Sequence, residues 1–255
     1  MSGLFDLGGR VAIVTGGNGG IGLGMAQGLA RAGAALLIAG RNAGKNAAAV
    51  KALQELGAKA AAVEADVTGP DACRALVAAA LDQFGRVDVL VNNAGTNIRK
   101  QPQDYTPEEW KSVLDTNLTS AFLCSQAAYP AMLKAGGGKI INIGSMLSIF
   151  GASFAGPYGA SKGGMVQLTK SLACAWAKDN IQVNAVLPGW IDTELTRAAR
   201  REVAGLHERV LARTPAGRWG DAADFAGVAV FLASSASDFI TATAIPVDGG
   251  YSSQI

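Results

Sequence analysis

Val11-Ala12-Ile13-Val14-Thr15-Gly16-Gly17-Asn18-Gly19-Gly20-Ile21-Gly22 is the stretch that decides the fold. An apolar, β-branched run ends at Thr15 and passes directly into a glycine-rich loop. Residues 20–32 beyond it are Ala- and Leu-rich, as in a helix. Strand, glycine loop and helix in that order form a phosphate-binding unit, whereas a glycine loop alone is compatible with a plain turn. The glycines let the backbone approach a pyrophosphate, and the helix N-terminus supplies free N–H groups and a partial positive charge. Two registers fit. Gly16, Gly20 and Gly22 are preferred over a frame starting at Gly17, because Thr15-Gly16 directly ends the strand.

Working outward, short apolar runs at 10–15, 34–39, 59–65, 87–92, 139–144, 181–187 and 243–247 read as strands. They are continuous rather than alternating, as expected of parallel strands buried on both faces. Helices are expected at 20–32, 43–56 and 70–84, each closed by a glycine, and from Thr106-Pro107-Glu108-Glu109, a capping box with proline at the first helical position. Alternating β and α elements imply an α/β fold: a Rossmann-type doubly wound parallel sheet of about seven strands, with helices on both faces. One domain spanning 1–255 is expected. Residues 189–214 look like an insertion that covers the substrate, rich in arginine at 197, 200, 201, 209 and 213.

The bulk composition excludes several classes. The chain has 255 residues, is 49% hydrophobic and 16% charged, and so has ample apolar material for a core. A net charge of +2 is too small to argue for a nucleic-acid or membrane partner. No apolar run approaches the ~20 residues of a membrane span. The first ten residues carry Asp6 and Arg10 and have no apolar centre, so they do not read as a signal peptide. Cys73, Cys124 and Cys174 are far apart in sequence, which fits reduced thiols in a cytoplasmic protein and argues against a metal site.

Cofactor choice is legible in what is missing. A dinucleotide site selecting NAD places an acid about twenty residues past the loop, to hold the ribose 2′-hydroxyl. No Asp or Glu occurs between Leu7 and Gln54. The second strand ends instead in Ala39-Gly40-Arg41-Asn42. A guanidinium at Arg41 suits a 2′-phosphate, with Asn18 and Asn42 as neutral donors. NADP(H) is therefore the expected cofactor, with NAD(H) as the alternative; the competing reading leaves Arg41 as a solvated arginine after a strand.

Tyr158-Gly-Ala-Ser-Lys162 places a phenol and an ammonium four residues apart, on one face of a helix. A nearby cation favours the phenolate and brings a phenol pKa, ordinarily about 10, toward a range useful for acid–base work. Ser145, just past the fifth strand, is placed to hydrogen-bond the same oxygen. With the glycine loop, this set points to hydride transfer between a nicotinamide and a secondary alcohol or ketone. Two rivals exist. Gly159-Ala160-Ser161-Lys162-Gly163 matches a hydrolase nucleophile elbow, with Asp192 and His207 following in hydrolase order, but Gly156-Pro157 precludes the strand the elbow needs. A non-catalytic nucleotide sensor would need no such polar set.

On these residues the chain resembles the short-chain dehydrogenase/reductase family nearly end to end. The motifs are Thr15-Gly16-x-x-x-Gly20-Ile21-Gly22, Asp66-Val67, Asn92-Asn93-Ala94-Gly95, Asn117, Ser145, Tyr158-x-x-x-Lys162, Asn184 and Pro188-Gly189. The resemblance implies a catalytic tetrad of Asn117, Ser145, Tyr158 and Lys162, with Asn117 holding a water of a proton relay and Lys162 also binding the nicotinamide ribose. It implies that Asp66 and Val67 face the adenine, and that Asn93, Ala94 and Gly95 line the adenosine side. Pro188, Gly189, Ile191 and Thr193 would face the nicotinamide amide. It implies a homotetramer built on the helices around Asn117 and Lys162.

Residues 96–105, 146–157 and 189–214 are expected to wall the substrate. Arg99 and Lys100 in the first, and the arginines of the last, suit an anionic substrate, unless they form a solvated cationic face. Residues 143–148 and 215–220 are similar to the sugar-acid branch of the family, the gluconate and deoxygluconate dehydrogenases. The 3-oxoacyl thioester reductases and broad carbonyl reductases share much of the same framework.

Overall fold

The computed structural model describes residues 3–254. All seven expected strands form, with ends displaced by at most two residues: β1 Val11–Thr15, β2 Ala35–Gly40, β3 Ala60–Glu64, β4 Val89–Asn92, β5 Gly138–Ile143, β6 Ile181–Pro188 and β7 Ala244–Val247. Every pairing is parallel, in the order β3-β2-β1-β4-β5-β6-β7.

The continuous apolar runs are explained by burial on two faces. In β1, Ala12 and Val14 pack with Met25 and Leu29 of α1 (Gly20–Arg31) and Phe225 and Leu232 from the region of the last helix. Ile13 points the other way, into a second core. That core holds Leu76 of α3 (Pro70–Phe84), Met132 of α5 (Ser120–Lys134) and Leu172 of α6 (Gly156–Trp176). The helix α2 (Ala43–Glu55) follows β2, and α4 (Pro107–Leu114) begins at the expected Thr106 capping box. Residues 189–214, expected as an insertion, are largely helical. They hold α7 (Glu194–Glu202) and α8 (Leu206–Arg213), joined through Ala199, Leu206 and Val210 with Trp190 and Trp219 against them. The helix α9 (Ala226–Ala233) completes the set.

Chain order runs outward from β1 to β3 and then returns to β4 beside β1. Such a reversal opens a crevice at the carboxyl ends of the strands. Asn184, expected as a family motif residue, ties β6 to the segment before β7, donating to Ile240 O at 2.8 Å and accepting from Thr243 N at 3.2 Å. Among the described residues, no helix is long and apolar enough to cross a membrane, and no group of His, Cys, Asp and Glu is arranged to hold a metal ion.

Candidate active site

A cleft of about 900 Å³ occupies that crevice. Its floor is the glycine loop. Gly16 and Gly20 adopt φ of +61° and +51°, conformations that side-chain-bearing residues avoid. Gly22 lies beneath the cleft instead of lining it. A Cβ there would stand 2.4 Å from Asn93 Nδ2 and 2.5 Å from Gly16 O, so this glycine serves the packing of α1 against the loop. Gly19, before α1, supplies no side-chain cap, so the first amides of that helix point into the cleft without a protein acceptor. Uncapped amides behind a left-handed glycine turn fit a dinucleotide pyrophosphate.

Strand ends and side chains fix this floor. Thr15 Oγ1 accepts from the amides of Asn93 and Ala94 at 3.0 and 3.1 Å, and Asn93 Nδ2 donates to Thr15 O and Gly16 O. Asp66, Val67, Ala94 and Gly95 line the same cleft, as do Ile21, Pro188, Gly189, Ile191 and Thr193. At the far end Arg41 is exposed and lines the wall. Asn42 does not. Its Oδ1 accepts from Lys45 N at 2.8 Å and caps α2, which leaves Nδ2 as its donor. Asn18 lines the cleft, but its amide nitrogen also donates to Asn46 Oδ1 at 2.7 Å. Lys45 bridges to Glu194 at the start of α7, 2.6 Å away.

Ser145, Tyr158 and Lys162 meet at the other end of the cleft. Ser145 follows β5, and its hydroxyl accepts from Leu147 N at 3.1 Å, which fixes it at the head of a short turn. Tyr158 and Lys162 lie one turn apart in α6. The Lys162 Nζ stands 5.6 Å from the Tyr158 ring centroid and donates to Ile143 O at 2.6 Å. Burial pushes the ammonium down to about 8. Burial also raises the Tyr158 phenol, opposed by the Ser145 hydroxyl and the charge of Arg99. Lys162 is not among the groups acting on the phenol here. Its ammonium is turned to the carbonyl of Ile143.

Asn117 sits in a π-helical turn, Asp115–Thr119, between α4 and α5. It is fully buried. Its amide accepts from Thr96 N at 2.7 Å and donates to Thr96 O and Ser161 Oγ, both at 3.0 Å. Asn117 Oδ1 and Lys162 Nζ both approach Gly95, 3.4 and 3.8 Å from where a Cβ would stand. One-turn π-helices concentrate at functional sites. No sequence signal separates this turn from an ordinary helix.

The hydrolase alternative has no geometry. Ser161 is fully buried in mid-helix and donates to Tyr158 O. Asp192 is held by Arg197 and Arg200, and the exposed His207 accepts from Trp219 Nε1. Three cations expected along the substrate wall have protein partners. Lys100 is engaged by Glu109 at 2.5 Å. Arg213 stacks on Phe150 and Tyr251. Arg99 is mostly buried and spans to α7, meeting Glu202 Oε2 at 2.9 Å and Leu195 O at 3.2 Å.

A family model described as enoyl-(acyl carrier protein) reductase matches residues 16–252. The chain is 43% identical over 248 residues to the 2-dehydro-3-deoxy-D-gluconate 5-dehydrogenase of Escherichia coli strain K12, covering 97% of each. It is 40% identical to the gluconate 5-dehydrogenase of Gluconobacter oxydans strain 621H, covering 97% of this chain and 96% of that one. Among solved structures, a gluconate 5-dehydrogenase from Burkholderia cenocepacia J2315 in complex with NADP and tartrate superposes with a TM-score of 0.93. The two are 40% identical, over 99% of this chain and 98% of that one.

Proposed function

The chain belongs to the short-chain dehydrogenase/reductase family, and on that footing we propose that it is an NADP(H)-preferring oxidoreductase interconverting a secondary alcohol and a ketone on a sugar acid of the gluconate type. One observation carries this reading: Ser145, Tyr158 and Lys162 converge in the same cleft as the glycine loop and Arg41. The solved relative bound to NADP and tartrate, a dicarboxylate, supports both the cofactor and an acidic substrate.

Gly16, Gly20 and the α1 amides would hold the pyrophosphate, Arg41 the 2′-phosphate, and Asp66 and Val67 the adenine. Asn93, Ala94 and Gly95 would line the adenosine side. Pro188, Gly189, Ile191 and Thr193 would hold the nicotinamide amide, with Lys162 on its ribose. Bound there, the nicotinamide supplies or accepts the hydride. The protein's own task is the proton. Tyr158 donates its hydroxyl proton to the ketone oxygen in reduction and withdraws it from the alcohol in oxidation, while Ser145 hydrogen-bonds that oxygen. Lys162 would carry the proton onward to a water held by Asn117; both side chains approach Gly95. Arg99, whose charge opposes the rise of the Tyr158 phenol, is the cation of the expected substrate wall that would meet a substrate carboxylate. The α7–α8 segment would cover the substrate, latched by Arg99–Glu202 and Lys45–Glu194.

A homotetramer is supported by the exposure of Trp110 in α4, Phe122 and Leu133 in α5, and Phe239, which is fully exposed. A cytoplasmic location is supported by three thiols that remain unpaired, although Cys73 and Cys124 sulfurs lie 3.3 Å apart. The test of function is a panel of keto sugar acids, polyols, 3-oxoacyl thioesters and neutral ketones, read by NADPH absorbance. Keto sugar acids should be turned over best. Faster reduction of thioesters or neutral ketones would overturn the substrate assignment.

A further inference from the structure

Asn46 is a polar residue where the packing asks for an apolar one. It shares the buried stripe of α2 with Ala49 and Leu53, at helical spacing, and is 4% exposed. A buried amide in such a place is unfavourable unless its hydrogen bonds are made. Here they are made, and they determine its orientation. Asn46 Nδ2 donates to Gly40 O at 2.8 Å and lies 3.4 Å from Val63 O, and both partners can only accept. Its Oδ1 must then face Asn18, which presents its amide nitrogen at 2.7 Å. Three segments are joined this way: the end of β2, the end of β3 and the glycine loop.

The bridge has a consequence for the site. A Cβ at Gly40 would lie 2.3 Å from Asn18 Nδ2 and 2.7 Å from Asn46 Oδ1. The amide pair therefore occupies the space where a side chain at the end of β2 would stand. That is where an acid would project to accept ribose hydroxyls. Arg41 follows Gly40 directly, and Lys45 precedes Asn46. The bridge thus excludes a carboxylate from this position and leaves Asn18 lining the same cleft as Arg41 and Lys45. One amide proton of Asn18 binds Asn46, and the second remains for an anion.

We propose that Asn46 is a positioning residue for cofactor choice: by holding Asn18 over Gly40 it shapes the end of the cleft for a 2′-phosphate. This rests on the NADP(H) reading above. The test compares wild type, Asn46→Leu, Asn18→Ala and the double variant, with kcat and KM measured for both NADP(H) and NAD(H). Leucine completes the apolar stripe, and Asn18→Ala lies on a partly exposed loop, so at least one variant reports on a folded protein. The ratio of kcat/KM for NADP(H) over NAD(H) should fall about tenfold in each single variant, through the KM for NADP(H), on the scale of one hydrogen bond to a charged group. The double variant should fall no further, because Asn46 acts through Asn18. A purely structural role would weaken both cofactors equally, and that result, or an unchanged ratio in both single variants, overturns the proposal. A wild type that prefers NAD(H) overturns the cofactor reading itself, and this inference with it.

Discussion

The Lys162 ammonium donates to the carbonyl oxygen of Ile143 at 2.6 Å, deep between β5 and α6. A free lysine titrates at 10.5, whereas burial brings this one down to about 8. Below pH 8 the folded and unfolded chains both carry the charge, and its burial penalty is present in full. Between about 8 and 10.5 the folded chain releases the proton first. The unfolded state then binds more protons, so stability rises with pH across that window. Denaturant unfolding of wild type and Lys162→Met, below pH 8 and again near pH 10.5, should show the difference moving in favour of wild type by up to about 3 kcal/mol. A difference independent of pH would place the ammonium in solvent.

Arg99 and Lys100 are adjacent in sequence but have separate roles. Lys100 is bound to Glu109, whereas Arg99 reaches α7 through Glu202 and the Leu195 carbonyl. Arg99→Ala should raise KM for a carboxylate-bearing substrate by about tenfold or more, as expected for losing a hydrogen bond between charged groups. It should change KM for a neutral ketone far less. Lys100→Ala should do little to either, since its partner lies outside the cleft. Equal effects of the two variants would show that Arg99 serves only as a latch for α7.

Arg41→Ala should lower the preference for NADP(H) over NAD(H) by about ten- to a hundredfold, with little change in NAD(H) affinity, because NAD has no phosphate there. Gly40→Asp should push in the same direction by two routes. It adds an acid near the ribose, and its side chain displaces the Asn18–Asn46 amide pair. Matched steady-state kinetics with both cofactors check this. An Arg41→Ala variant with its preference intact would leave Arg41 as a solvated surface residue.

The sheet was readable from the chain because each strand is a short apolar run buried on both sides. Val11–Thr15 alone gives its two faces to two cores. Ser145, Tyr158 and Lys162 were readable because two lie one helical turn apart and the third ends a strand. The parts that were not readable depend on long-range partners. Lys162 meets Ile143 nineteen residues away, Lys45 meets Glu194, and Asn18 meets Asn46 across two elements. The cap made by Asn42 was not readable either, because the sequence does not fix to the residue where α2 begins. The helices within 189–214 were not marked in the sequence because they are short and strongly charged, with few apolar residues to show their inner faces.

The central claim is that Tyr158 moves the proton while the cofactor moves the hydride. The most direct measurement is NADPH-dependent reduction of a keto-gluconate by wild type and Tyr158→Phe, paired with NADPH affinity from fluorescence titration. The variant keeps the ring and loses only the hydroxyl. Its kcat should drop by about a hundred- to ten-thousandfold, the contribution of a positioned general acid, while NADPH affinity stays nearly the same. Near-normal turnover by Tyr158→Phe would contradict the account.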